Sequence, residues 1–463
     1  MFKKILVANR GEIALRIIRA CKEMGIKTVA VYSSVDVDSL HVRFADESVC
    51  IGPPRNDKSY LNILNIMSAA LVTGAEAIHP GYGYLAENAS FARICDDHRI
   101  KFIGPSPRML RLMGDKAKAK ETMRGLGVPT LPGSDGEVGT VKEGIQIAEE
   151  IGYPILIKAS GGGGGKGMRI VRHKDDFMRS FEAVQGEAGA AFGNSALYLE
   201  RYLGDPRHIE FQVLADEHGN VIHLGERECS IQRRHQKLIE ESPSPVMTSR
   251  RRRTLGSIVT DACKKLDYSS AGTMEFLMDT QGKYYFLEMN TRIQVEHPVT
   301  EFVTGIDIIK EMINVAAGEP LSLKQSEVKL SGHSLECRIN AEDPETFAPS
   351  PGKITACNVP GGLGVRVDTT IYKDYTVLPY YDSLIAKLIV HAPTRREAIL
   401  RMRRCLGEFV IEGIKTTVRF HEGVMKDPEF LSGKLSTSFI ERYFSKALNE
   451  QPDVERVRTI HGA

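Results

Sequence analysis

No stretch of the 463-residue sequence is apolar for long enough to span a bilayer, and no global charge bias marks it for a polyanion. The first apolar run, Ile5-Leu6-Val7-Ala8, is cut by Asn9-Arg10-Gly11-Glu12, far short of the core of a secretory signal. Lys and Arg number 61 against 59 Asp and Glu, a formal net charge of +2, so any anion site must be local and neither nucleic acid nor membrane is an expected partner. Paired cysteines are missing too: the eight present are scattered, without a C-x-x-C pair, as in a protein of a reducing compartment. A cytoplasmic protein, neither exported nor embedded, is expected. Hydrophobic residues at 42% and charged residues at 26% exclude wholesale disorder, and the length suits about three domains.

Two phosphate-binding fingerprints are also lacking. Lys4 to Ala8, Ile13 to Met24 and Thr28 to Tyr32 read as strand, helix and strand, with Asp36 just beyond, yet the first turn carries no G-x-G-x-x-G. A Rossmann-like scaffold without a dinucleotide is therefore expected. Gly81-Tyr82-Gly83-Tyr84-Leu85-Ala86 has the weaker G-x-G-x-x-A form, without an acidic residue ending a second strand, and reads as a glycine-rich turn near a site. Lys158-Ala159-Ser160, then Gly161 to Gly165 and Lys166-Gly167, is no Walker A loop, because Ser160 and Gly167 stand where Gly and Ser/Thr are required.

So dense a glycine run is costly in backbone entropy. Following an apolar strand and flanked by two lysines, it suits N–H groups cradling phosphate oxygens; the plain alternative is a flexible linker. A second signal lies in Glu275 and Tyr284 to Glu296. If the latter is extended, Glu288, Asn290, Arg292, Gln294 and Glu296 share one face, and Leu287, Met289, Ile293 and Val295 face the core. A hairpin turning through Thr280 to Lys283 sets Glu275 opposite Glu288, and two facing carboxylates call for a cation. With Asn290 they offer only oxygen, which suits Mg²⁺ rather than zinc, unless the face is merely solvated. Glu226 to Lys237 alone reads as an exposed polar strand or loop, Cys229 as a packed thiol, His208 as an ordinary half-buried imidazole, and Arg250 to Arg253 as a solvated helix face.

Together His79 to Asn88, Ser160 to Met168, Gln232 to Lys237 and Glu288 to Pro298, in this order, resemble the biotin carboxylase family of the ATP-grasp superfamily, from Ile5 to about Tyr443. The resemblance implies an α/β ATP-grasp fold: a Rossmann-like domain over 1–113, an ATP-grasp domain over 114–330 with a lid at about 130–204, a strand-rich C-terminal domain over 331–446 and a tail over 447–463. It implies ATP held by Lys116 and Lys158 under Gly164 and Gly165, with adenine at Glu200, Arg201 and Leu203 and the pocket lined by His208, Gln232 and His235. Glu275, Glu288 and Asn290 become ligands of Mg²⁺ or Mn²⁺; Lys237, Arg292, Gln294 and the Val295 backbone hold bicarbonate; Glu296 is its base; Arg338 stabilises the biotin enolate. Without the resemblance Arg338 reads as a surface ion-pair residue.

No Ala-Met-Lys-Met attachment site is present, so biotin is expected on a separate carrier protein, with carboxyltransferase subunits as further partners and a homodimer as the assembly. The implied setting is acetyl-CoA carboxylase in fatty acid synthesis, or else the carboxylase subunit of a two-subunit pyruvate or acyl-CoA carboxylase. Another ATP-grasp ligase would share the lysines and paired glutamates without Arg292 to Glu296 and Arg338, and a nucleotide-binding regulatory subunit would not need that charged face intact.

Overall fold

The computed structural model describes residues 1–159, 167–192 and 196–450, without the side chains of 190–192 and 447–450. Gly164 and Gly165, expected in the lid, and residues 451–463 of the expected tail lie outside the described residues. The helix Phe439–Glu450 continues into the first residues assigned to that tail.

The N-terminal part is a five-stranded parallel sheet in the order Glu47–Gly52, Lys27–Ser33, Lys4–Val7, Ala77–His79, Lys101–Phe102. Its first helix, Gly11–Glu23, buries Ile13, Ala14, Ile17, Ile18 and Cys21, the periodic stripe that the sequence shows. Later helices begin where a side chain can take an orphan N–H: Asn62 accepts from Asn65, and Ser106, followed by Pro107, from Met109. Beyond the first strand the side chains bond to one another. Arg10 grips Asp36 through two 2.8 Å hydrogen bonds, and Asn9 Nδ2 donates to the carbonyls of Pro80 (2.7 Å) and Tyr82 (2.8 Å). That approach requires Gly81, at φ +63°, because a Cβ there would sit 2.9 Å from Asn9 Nδ2.

An eight-stranded antiparallel sheet forms the centre, in the order Tyr284–Asn290, Ser270–Met278, Arg207–Ala215, Val221–Arg233, Gln236–Ser242, His333–Asn340, Leu384–Ala392, Val365–Thr369. It runs across the expected division at 330/331, because Gln236–Ser242 pairs with His333–Asn340. The strand-rich stretch to Glu296 is interrupted by the helix Ser249–Lys265, which exposes Arg250, Arg251 and Arg253 as expected but turns Arg252 inward onto buried Glu226 through two 2.6 Å hydrogen bonds, and a helix His297–Thr304 precedes the expected one. A small sheet, Met168–Val171, Ile155–Ala159 and Leu197–Arg201, packs under the helices Val141–Ile151 and Phe177–Phe192 around its own apolar core. Among the described residues no helix is long and apolar enough to cross a membrane.

Candidate active site

Asp279 builds the turn that sets the site's register. Its Oδ1 accepts from the N–H groups of Gln281 and Lys283, both at 2.9 Å, and Gly282 takes φ +80°. Closed this way, the hairpin pairs Glu275 directly with Glu288, as the sequence predicts. The strict alternation does not survive. The register slips beyond Glu275, so Leu287 becomes an extra residue and points to solvent, 39% exposed, instead of into the core. The strand also ends at Asn290, and Thr291 to Glu296 form a loop leading into the helix His297–Thr304.

The loop nevertheless returns the predicted polar side chains to one place. Arg292 donates from Nη2 to Asn290 Oδ1 and from Nη1 to Gln294 Oε1, both at 2.9 Å. Asn290 Nδ2 (2.9 Å) and Gln294 Nε2 (3.0 Å) both donate to Glu275 Oε1. Lys237, entering from the strand Gln236–Ser242, gives its ammonium to Glu210 Oε2 at 2.5 Å, Glu296 Oε1 at 2.7 Å and Glu275 Oε1 at 2.8 Å. Three donors meet three carboxylates, which matches an ammonium's capacity. Burial opposes charge on Glu296, but Lys237 and Arg338 overcome it and hold its carboxyl below the usual range. Glu296 is thus an anion, the state a base requires.

Arg338 is no surface residue. It donates from Nε to Glu240 Oε1 (2.6 Å) and from Nη2 to Glu296 Oε2 (2.8 Å), with only 15% of its side chain exposed. His208 departs from the ordinary imidazole as well. It is buried with Nε2 3.0 Å from Glu275 Oε2, and although burial works against its charge, Glu275 raises its pKa to about 9. The segment Glu226 to Lys237 is a hairpin rather than an exposed strand, with Glu226, Arg227 and Glu228 buried. Gln232 faces Lys237 across it, while His235 lies exposed at the tip beside Arg234, both with positive φ. Cys229 is the packed thiol expected, its pKa pushed far up by burial.

On the nucleotide side, Lys116 opens the helix Lys116–Gly125 and reaches Glu288 Oε2 at 3.1 Å, its side chain 84% exposed. Lys158 and Lys120 both bond Glu200; burial resists, but the two ammonium groups hold that carboxyl at about 2. Arg201 donates its N–H to the Pro132 carbonyl, and half-buried Leu203 follows just beyond the strand end. The Val295 carbonyl accepts from buried Lys387 at 2.9 Å.

Among the described residues two clusters of metal-type ligand atoms lie within 4.8 Å: His208, Glu210 and Glu275, and Glu210, Cys229 and Glu296. Both depend on Glu210, whose oxygens are taken by Lys237 and by Arg227 at 2.6 Å, so these are ion-pair networks. Glu275 and Asn290 are hydrogen-bonded as well, but with Glu288 they make an all-oxygen set that suits a divalent cation, and Glu288 stands at the solvent edge, paired with the exposed and displaceable Lys116.

Sequence reasoning assigned no role to Glu210, Arg227, Glu240, Glu87 or Lys387. Glu87 accepts from Arg292 Nε at 2.9 Å and from the Thr291 N–H at 3.0 Å, bracing the loop from the glycine-rich turn of the N-terminal sheet. For Glu210 and Lys387 the signal was a charge inside an apolar strand, in Ile209-Glu210-Phe211 and Ala386-Lys387-Leu388.

Comparison with known proteins agrees with this geometry. The family described as "Biotin carboxylase, N-terminal domain" matches residues 1–110, "Carbamoyl-phosphate synthase L chain, ATP binding domain" 115–324, and "Biotin carboxylase C-terminal domain" 336–442. The biotin carboxylase of Nostoc sp. is 60% identical over 441 residues, 95% of this chain and 99% of that one. The biotin carboxylase domain dimer of Hydrogenobacter thermophilus 2-oxoglutarate carboxylase, solved with MgADP, ADP and bicarbonate, superposes with a TM-score of 0.89 at 55% identity, covering 96% of this chain and 98% of that one. The Campylobacter jejuni biotin carboxylase, solved in a βγ-ATP complex, gives 0.90 at 51%, covering 96% and 99%. With its parallel N-terminal sheet, ATP-grasp centre and strand-rich C-terminal part, the chain belongs to the biotin carboxylase family.

Proposed function

We propose that this protein uses ATP and bicarbonate to carboxylate biotin borne on a separate carrier protein. The observation that supports this most is the placement of the Glu296 carboxylate between Lys237 and Arg338, one ammonium away from the paired acids Glu275 and Glu288. Lys237, Arg292, Gln294 and the Val295 backbone hold bicarbonate, and Glu296 takes its proton. A carboxylate clasped by two cations is a weak base; an incoming anion shares those cations and so raises its proton affinity. The bicarbonate oxygen then attacks the γ-phosphorus, the bond to ADP breaks, and carboxyphosphate forms. Glu275, Glu288 and Asn290 would hold magnesium, which would supply charge compensation for the phosphates. Lys116 and Lys158 share that task, the latter by leaving Glu200, which with Arg201 and Leu203 borders adenine. His208, Gln232 and His235 complete the pocket. Carboxyphosphate releases CO₂ and phosphate, the phosphate takes the ureido proton of biotin, and Arg338 stabilises the enolate while the nitrogen bonds CO₂.

The expected setting is a cytoplasmic acetyl-CoA carboxylase, with carrier and carboxyltransferase on other chains and this chain as a homodimer. A pyruvate, other acyl-CoA or 2-oxo acid carboxylase is the second reading, favoured by the likeness to a 2-oxoglutarate carboxylase domain. ADP release by the purified protein is the test: it should require bicarbonate and be stimulated by free biotin, and bicarbonate-independent turnover would count against the proposal.

A further inference from the structure

Behind Arg338 lies a pair of acids that the chemistry above does not use. Glu240, on Gln236–Ser242, and Glu336, on His333–Asn340, are direct cross-strand partners, and both are fully buried. Such partners carry their Cβ atoms about 5 Å apart on one face of the sheet, so the two carboxyls occupy one dry space. The nearby cations do not satisfy both. Arg338 gives Nε to Glu240 Oε1 and Nη2 to Glu296 Oε2. Lys387, opposite Arg338 on the next strand, is engaged with the Val295 carbonyl at 2.9 Å, Glu12 at 3.2 Å and Asp368 at 3.7 Å. Glu240 Oε2 and both oxygens of Glu336 remain sealed from solvent without a hydrogen-bond partner among the described residues.

Two buried like charges side by side are resolved when one group keeps its proton. We propose that Glu240 and Glu336 hold one proton between them, on Glu336, and that Glu240, the ionised member, positions Arg338 against Glu296. A neutral Glu336 does not compete for the guanidinium, and its O–H can donate to the partnerless oxygen of Glu240. Glu240 Oε1 then fixes Nε while Glu296 fixes Nη2, which sets the plane of the guanidinium. Burial, opposed by Lys387 and reinforced by Glu240, raises the Glu336 carboxyl well above its ordinary range; burial, opposed by Arg338, takes Glu240 up to about 7. Other charged or titratable groups around the pair are Lys237, Cys229 and Cys337 on the sheet, Glu296 and His297 at the helix start, Asp368 and Arg366 on the edge strand, and Glu12 on the first helix. Glu240 is a positioning residue, and the inference rests on the proposed roles of Arg338 and Glu296.

The test combines infrared difference spectra of the full-length protein at about pH 8, above the value of about 7 to which burial takes Glu240, with steady-state kinetics. A carboxylic acid C=O band, shifted in heavy water, should be present in the wild type and lost in Glu336→Gln. That variant, isosteric with the neutral acid, should keep kcat for biotin-stimulated ADP release within about threefold. Glu240→Gln should lower kcat by about 10- to 100-fold with KM for ATP unchanged, as for a displaced catalytic group. An unchanged band in Glu336→Gln, or equal kcat losses in the two variants, overturns the proposal. Should Glu336→Gln fold poorly, the band is followed in Glu12→Gln and Glu228→Gln, whose carboxyls burial also raises: a band retained in both supports the proposal, and a band lost in either, or absent from the wild type, overturns it. A wild type without bicarbonate-dependent turnover would defeat the functional reading, while the band would still decide whether the pair holds a proton.

Discussion

Lys237 Nζ lies 2.7 Å from Glu296 Oε1, and the same ammonium stands 2.8 Å from Glu275 Oε1. One cation therefore ties the proposed base to the proposed metal carboxylate, and a change at either is felt at the other. Replacing Glu296 by Gln keeps much of the shape and removes the proton acceptor. Bicarbonate-dependent ADP release should fall by about 10² to 10⁴, the span of general base catalysis, with KM for ATP little altered. Steady-state kinetics with ATP and bicarbonate varied in turn check this.

Lys237 is also structural, since its removal leaves Glu210, Glu275 and Glu296 facing one another in a nearly closed space. Lys237→Met should cost about 3–5 kcal/mol of stability, as for a broken buried ion pair. Adding Glu210→Gln should recover part of that loss, a coupling that thermal unfolding of the single and double variants would reveal.

Glu87 reaches the site from the N-terminal sheet and braces Arg292. Half-exposed charge-assisted bonds are modest, so Glu87→Gln should raise KM for bicarbonate by about five- to tenfold and leave the KM for ATP unchanged. An equal rise in both would point to a general loosening of the fold.

Glu241 sits one residue from the dyad but faces the other side of the sheet, where Arg395 Nε (2.7 Å) and His333 Nε2 (2.6 Å) meet one oxygen. Burial opposes its charge, and Arg395 outweighs burial and holds it at about 2. The folded value lies below the unfolded one, so the stabilisation is complete above the unfolded value of about 4.3 and is lost as pH falls through the folded value. At neutral pH it contributes on the order of 3 kcal/mol. The stability gap between wild type and Glu241→Gln, followed by chemical denaturation, should narrow as pH is lowered from about 6 toward 3.

The parts of this site readable from sequence were those whose chemistry is local. The turn Thr280 to Lys283 and the alternation around it carry their own register, and they place Glu275 opposite Glu288 without knowledge of any other strand. Arg292 to Glu296 were assigned correctly to one neighbourhood for the wrong geometric reason, because a bulge at Leu287 and a loop, rather than a continuous strand, bring them there. Arg227 shows what was not legible. Its partners Glu210, Gln212, Thr273 and Thr300 come from three other elements, so only the assembled sheet and helix explain a fully buried guanidinium. Arg338 is similar: both of its acids are distant in sequence, and spacing alone cannot distinguish it from a surface arginine.

Transfer of isotopic label from bicarbonate to biotin tests the central claim most directly. With ATP and magnesium, the wild-type protein should form labelled carboxybiotin in step with ADP release, and Glu296→Gln should form almost none. ATP splitting that proceeds without bicarbonate, or that leaves biotin unlabelled, would contradict the account.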